Sequence, residues 1–368
     1  MNKKMFNCQE SALLQLTHDA AWYGMLKDWN HVRIPGKNPL KEDLSHYIKD
    51  QPESEWETLD RDGVNIHEKD SFVRDALDDP QTQLHHPCDV YFYEESQRSR
   101  VSTADYGTLV LTSITNTSKY LTRHWESRIT DNQSCSWKTD LEKFHKGKTP
   151  PSNSLIIIDR YLFSYDSGAK TDYKNGIRNV YGLLNELLPT TFSGDYHVLL
   201  IFDDESISKP ATVDDIAKGL QRIKMKLGRS YVPTIELLTV NKDVDRETFS
   251  KTHDRKIISN YFMIRSDHGF SAIRPPANRK EDIDYIGPGT CVWSESIYRY
   301  DGIYAGIDAD EDDRDYSALP IRSSDHTLAF LRDYYNKLKE GRRGYSYVCN
   351  GNRKVSIDSL KNRLITKV

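Results

Sequence analysis

The sequence predicts an α/β protein whose second part is a mixed, largely parallel sheet with helices on its faces, and three observations carry that prediction. First, "SLIIIDRYLF" and "YHVLLIFDD" are unbroken apolar runs, the pattern of strands covered on both faces. Second, "KNGIRNVYGLLNELLP" between them places Ile177, Val180, Leu183, Leu184, Leu187 and Leu188 at helical spacing before Pro189 ends the run. Third, "TVDDIAKGLQRIKMKLGRS" supplies another helix and "TIELLTV" another strand. The order β-α-β-α-β calls for parallel strands joined by crossover helices.

Earlier in the chain the periodicity is weaker, and residues 1–150 read as an α+β region of uncertain fold. An amphipathic start, "ALLQLTHDAAWYGMLKDW", gives way to the polar stretch "KDQPESEWETLDRDGVNIHEKD". "CDVYFYEE" and "YGTLVLTSI" have the character of short strands, and "NTSKYLTRHWESRI" that of a helix capped by Asn116 or Ser118. The Pro-Pro-Ser-Asn-Ser cluster of "KTDLEKFHKGKTPPSNS" puts a boundary near residue 150, dividing the chain into 1–150 and 151–368. After "TIELLTV", the segments "RKIISNYFMIRS" and "FSAIRP" read as two antiparallel strands around the turn Asp267-His268-Gly269. The tail holds a solvated acidic loop, "GIDADEDDRDY", and a helix, "SDHTLAFLRDYYNKLKEG", with Ser324 or Asp325 as its cap.

Composition narrows the function classes. The 368 residues include 37 % hydrophobic and 29 % charged, with 22 tyrosines and six tryptophans, enough apolar surface for packed cores. A formal charge of −4 gives no chain-wide attraction to nucleic acid or anionic lipid, so any such face is local. Five scattered cysteines without a CxxC pair suit reduced thiols and supply no zinc framework. With no apolar stretch long enough for a signal peptide or membrane span, the expectation is a soluble, cytoplasmic protein.

Two positions stand out chemically. Asp159 ends the strand "IIIDRYLF" and His253 opens "THDRKIISN", and ligands of open α/β sheets gather at strand ends. These strands resemble those of the phospholipase D-like superfamily, particularly its degenerate single-motif members. The family motif is His-x-Lys, four residues, then Asp. Here His253-Asp254-Arg255 with Asn260 keeps every spacing and changes two of three identities. The resemblance covers residues 154 to about 275; the His-Asp-Arg form with a final Asn is also similar to the phospholipase D-like domain that follows a microtubule-interacting and trafficking domain. It implies the fold, a phosphate site at Arg255 with Asp159 orienting, and, if active, catalysis by His253, Arg255 and Asn260.

The chemistry explains why the two changes matter. In the intact motif histidine attacks phosphorus, lysine neutralises the phosphate oxygens and the carboxylate orients the imidazole. Arg255 can still grip a phosphate bidentately, whereas Asn260 offers an imidazolium no negative charge. His67 and Lys69 in "IHEKDSFVRD" do not form a second motif, because Asp75 falls one place late. A complete active site would need a second copy of the chain, as in dimeric single-motif members.

Two readings follow. One is a catalytically degenerate module that binds a phosphate-bearing partner, nucleic acid or nucleotide, or serves as a subunit of a larger assembly; microbial defence is the setting that such modules suggest. The other is a metal-independent dimeric phosphodiesterase or nuclease using His253. Neither requires a cofactor or metal. Asp308, Asp310 and Asp312 alternate without the glycine and glutamate of a calcium loop. For nucleic acid, the basic residues Arg222, Lys224, Lys226 and Arg229 near one helix end, and Arg342 and Arg343 beside Tyr345, are the candidate contacts.

Overall fold

The computed structural model describes residues 6–19, 23–24, 26–27, 31–34, 55–68, 76–97, 103–112, 124–130, 134–135, 151–163, 173–203, 207, 211–240, 255–266, 289–290, 295–301, 328–329, 331–333, 335–336, 339, 348–350, 353–355 and 360–366. The first part of the chain forms β1 (Phe6–Cys8), α1 (Glu10–Leu16), β2 (His31–Ile34), α2 (Glu55–Arg61), β3 (Asn65–Glu68), β4 (Val90–Tyr93), α3 (Thr103–Tyr106) and β5 (Leu109–Thr112). The two short strands expected from "CDVYFYEE" and "YGTLVLTSI" are β4 and β5.

The five strands make one sheet in the order β3-β2-β1-β4-β5, parallel throughout. This corrects the α+β expectation for the part of the region up to Thr112, which is a parallel α/β layer. The strands β1, β2 and β3 escaped notice because each has only three or four residues, too few to display a period. Phe6, Cys8, Val32, Ile34, Val90, Phe92, Leu109 and Leu111 carry its core against Leu13, Leu16, Trp56 and Leu59 of α1 and α2.

The remaining elements are β6 (His124–Thr130), β7 (Ser134–Cys135), β8 (Ser154–Ile158), α4 (Tyr173–Leu187), β9 (His197–Asp203), α5 (Val213–Lys224), β10 (Thr234–Val240), β11 (Arg255–Ser259), β12 (Met263–Ser266), β13 (Gly289–Thr290), β14 (Glu295–Asp301), β15 (Val348–Asn350), β16 (Arg353–Val355) and α6 (Arg363–Thr366). Nine of these strands form the second sheet, in the order β16-β15-β10-β9-β8-β11-β12-β14-β6. The expected β-α-β-α-β order is present. Only β8, β9 and β10 run parallel, however; every other neighbour pair is antiparallel, so the sheet is mixed rather than largely parallel.

The unbroken apolar runs have their cause in the two covered faces. Leu155, Ile157, Val198, Leu200, Phe202, Ile235 and Leu237 pack against α4 and α5. The alternate residues Ile156, Ile158, Leu199, Ile201 and Leu238 meet Leu328, Leu331, Tyr335, Leu364 and Ile365 on the other side. Helical residues 328–329, 331–333, 335–336 and 339 fall within the expected tail helix. Its caps and the acidic run lie outside the described residues.

Two expectations change. The predicted helix at "NTSKYLTRHWESRI" is instead a strand over His124–Thr130, which pairs along its whole length with β14; cross-strand partners override weak local propensity. The segment "RKIISNYFMIRS", read as one strand, is itself a hairpin of β11 and β12 with its turn at Asn260–Phe262, while the turn expected at 267–269 and the strand "FSAIRP" lie outside the described residues. Ser259 closes it, its backbone N–H donating to Phe262 O at 2.8 Å and its Oγ accepting from the N–H groups of Tyr261 and Phe262. The turn is built from large side chains because Tyr261 is buried in the core of the first sheet.

That turn joins the two sheets. Tyr261 Oη donates to Asp89 O at 2.6 Å and accepts from Leu109 N–H at 2.8 Å. Beside it, Asn260 Nδ2 donates to Pro87 O and Gly107 O, each at 2.9 Å, and Oδ1 accepts from Asn153 N–H at 3.2 Å. Gly107, at φ 58°, brings its backbone so near Ser152 that a Cβ would lie 2.0 Å from Ser152 O. Only glycine fits this seam.

Candidate functional site

The carboxyl ends of β8 and β9 and the start of β11 meet at one edge of the second sheet. Past β8, Asp159 N–H still bonds Ile201 O at 3.1 Å and Arg160 O still accepts from Asp203 N–H at 3.3 Å. This prolonged pairing fixes Asp159, Arg160 and Asp203 side by side. Because Lys256 faces Ile158 across the antiparallel pair, Arg255 arrives opposite Asp159.

Asp159 and Asp203 are buried, and each faces a guanidinium. Arg160 Nε donates to Asp203 Oδ2 at 3.1 Å, and Arg255 Nε stands 3.9 Å from Asp159 Oδ1. Asp159 Oδ1 also accepts from Tyr161 N–H at 3.0 Å. Tyr161 is 47 % exposed, and its ring centroid lies 5.1 Å from Arg160 Cζ and 5.7 Å from Arg255 Cζ. The buried acids hold the arginines, and the arginines hold an exposed aromatic face. A guanidinium has five N–H donors and can pair with a phosphate through two of them.

Of the residues singled out from sequence, Asp159 and Arg255 are thus brought together, while His253 lies outside the described residues. Asn260 is not at this site. Four residues lie between it and Arg255 along an extended strand, a span of about 16 Å, and its amide is committed to the seam with Pro87 and Gly107. It cannot orient an imidazole near Arg255. Sequence reasoning missed Arg160, Tyr161 and Asp203, although "DRY" and "FDD" stand at the ends of two predicted strands, where a charged residue after an apolar run is the available signal.

The basic residues of α5 lie elsewhere. A crossover helix returns antiparallel to its strands, so the carboxyl end of α5 is at the opposite end of the sheet from Arg255. Arg222 and Lys226 are exposed there. Lys224 is partly buried, and burial lowers its pKa. Arg229 is turned inward, donating to Leu227 O at 3.1 Å and to Asn185 O at 2.5 Å. It ties the α4 and α5 ends together rather than offering its charge to a polyanion. Arg342, Arg343 and Tyr345 lie outside the described residues.

The first sheet has its own strand-end site. Its order reverses between β1 and β4, the place where parallel α/β sheets open a crevice. Gln9, Ser11 and Glu94 close it: Gln9 Oε1 accepts from Glu94 N–H at 2.6 Å, and Ser11 Oγ donates to Glu94 Oε1 at 2.5 Å. Among the described residues, no group of three or more His, Cys, Asp or Glu could hold a metal ion, and no helix is long and apolar enough to cross a membrane. No family model matches the chain, and no curated protein matches it.

Proposed function

We propose that the chain is a phospholipase D-like module in which phosphate binding has outlasted catalysis, and that it binds a nucleotide or single-stranded nucleic acid at the Arg160–Tyr161–Arg255 cluster. The observation that carries this reading is a half-exposed Tyr161 ring with two guanidiniums within 6 Å of its centroid. A base can stack on such a ring while the cations meet its phosphate. Loss of the motif carboxylate at position 260, and the use of Asn260 in the seam, support binding over turnover. The protein would then act by presenting this site, alone or as a subunit of a larger assembly.

Fluorescence anisotropy with a labelled single-stranded oligonucleotide tests the proposal. Tyr161→Ala and Arg255→Ala should each weaken binding by roughly tenfold, in line with ~1–3 kcal/mol for a stacked base, and affinity should fall steeply with salt. Undiminished binding by both variants would reject this site.

The enzymatic alternative rests on one feature, the buried carboxylate of Asp159 at the same strand end as Arg255. It could hold the imidazole of His253 where Asn260 cannot. A phosphodiester-cleaving activity that persists in excess chelator and vanishes in His253→Ala would establish that reading, with a homodimer supplying the second histidine.

A further inference from the structure

The opposite end of the second sheet carries a cavity that no part of the proposed function uses. It has a volume of about 390 Å³ and lies where the start of β9, the turn over Pro80–His85 and the C-terminal α6 converge. Leu84, His85, Asp195, His197, Lys361 and Arg363 are among the residues that line it. Two permanent cations and two imidazoles thus face one carboxylate.

Arg363 is the centre of the site. It is only 3 % exposed, and backbone carbonyls fix its position: Nη1 donates to Asn153 O at 2.8 Å and Nη2 to Asp195 O at 2.6 Å. Its Nε, also buried, has no hydrogen-bond partner among the described residues. That N–H lies beneath the cavity surface, so what Arg363 offers an anion entering the cavity is the charge of its fixed guanidinium, which such an anion would help to neutralise. Lys361 is exposed at the rim and His85 stands on the facing turn, so an entering ligand meets an ammonium and an imidazole from two separate elements. Leu84, buried beside His85, contributes an apolar wall. The volume falls in the range of small-molecule sites, above about 300 Å³, and leaves room for more than a bare ion.

We propose that this cavity binds a small phosphorylated ligand of mononucleotide size, with Arg363 and Lys361 on the phosphate and Leu84 and the imidazoles against its body. This site stands apart from the Arg255 cluster, since α6 and the start of β9 are at the amino ends of the parallel strands.

Thermal unfolding of the full chain, titrated with inorganic phosphate, adenosine 5′-monophosphate or adenosine, tests it. Phosphate and the monophosphate should raise the midpoint saturably, the monophosphate at lower concentration, and adenosine should not. Arg363→Met endangers the fold because it removes two backbone contacts, so the decisive variants are Lys361→Glu and His85→Ala, both at exposed positions. Each should weaken the response by at least about tenfold, as loss of a charge-assisted contact implies, while Arg255→Ala leaves it unchanged. No saturable response to either phosphate, a response that survives both rim variants, or one lost in Arg255→Ala would overturn the proposal.

Discussion

Asn260 looks like a worn catalytic residue and behaves as a structural one. Its Nδ2 donates to two buried carbonyl oxygens, Pro87 O and Gly107 O, from the first sheet. An aspartate here, as in the motif that positions 253–260 resemble, would therefore replace a donor with a carboxylate facing two acceptors. Asn260→Asp should lower stability by roughly 3 kcal/mol or more and create no phosphodiesterase activity; a stable, active variant by urea unfolding and assay would refute the structural role. The neighbouring Tyr261→Phe keeps the ring in its core and loses both hydrogen bonds of the hydroxyl. It should cost about 1–3 kcal/mol in the same measurement. Neither role was legible in sequence, because the partners of Asn260 lie 173 and 153 residues away. The chain shows the spacing of a motif, while the reason for its last residue sits in another sheet.

Elements were legible in proportion to their length and to the coverage of their faces. The strands β8, β9 and β10 and the helices α4 and α5 follow from apolar runs and a helical period, because both faces of the sheet are buried and the helices bury one stripe each. The strands β1, β2 and β3 did not follow, since strands of three or four residues carry no period. The hairpin turn was hidden by its own apolar residues, which pack across the seam. At the site, Asp159 and Arg255 were readable as strand-end charges, whereas the pairing of Arg160 with Asp203 depends on the register of β8 beside β9. The start of α5 was readable from Asp residues after Thr212, and it forms a full capping box. Thr212 Oγ1 accepts from Asp215 N–H at 3.3 Å, and Asp215 Oδ2 accepts from Thr212 N–H at 3.0 Å. Thr212→Ala should cost about 1 kcal/mol and Thr212→Ser much less, as judged from urea midpoints; equal losses would assign the effect to something other than the cap.

Across the whole molecule, the C-terminal segment closes the fold by bonding to strands far from it in sequence. Glu236, fully buried in β10, accepts from the N–H groups of Lys361 at 2.7 Å and Asn362 at 2.8 Å. Asn362 Nδ2 donates to Leu155 O at 3.1 Å, and Arg363 reaches Asn153 O. Burial raises the Glu236 carboxyl to about 7, against the opposing pull of those two N–H groups. The folded-state pKa therefore exceeds the unfolded one, and between the two values the folded protein holds a proton that the unfolded chain has released. The contribution is fully present below about pH 4.3, the unfolded value, and is lost as the pH rises through about 7. It amounts to at most roughly 4 kcal/mol between these limits. Other groups titrate in the same window, so the informative quantity is the difference between proteins. In wild type, Glu236 should make urea unfolding harder at pH 5 than at pH 8. Glu236→Gln, which retains one acceptor but cannot ionise, should be less stable at pH 5 and show a flatter profile. If the two profiles run parallel from pH 5 to pH 8, the carboxyl is charged throughout and its two backbone N–H partners outweigh its burial.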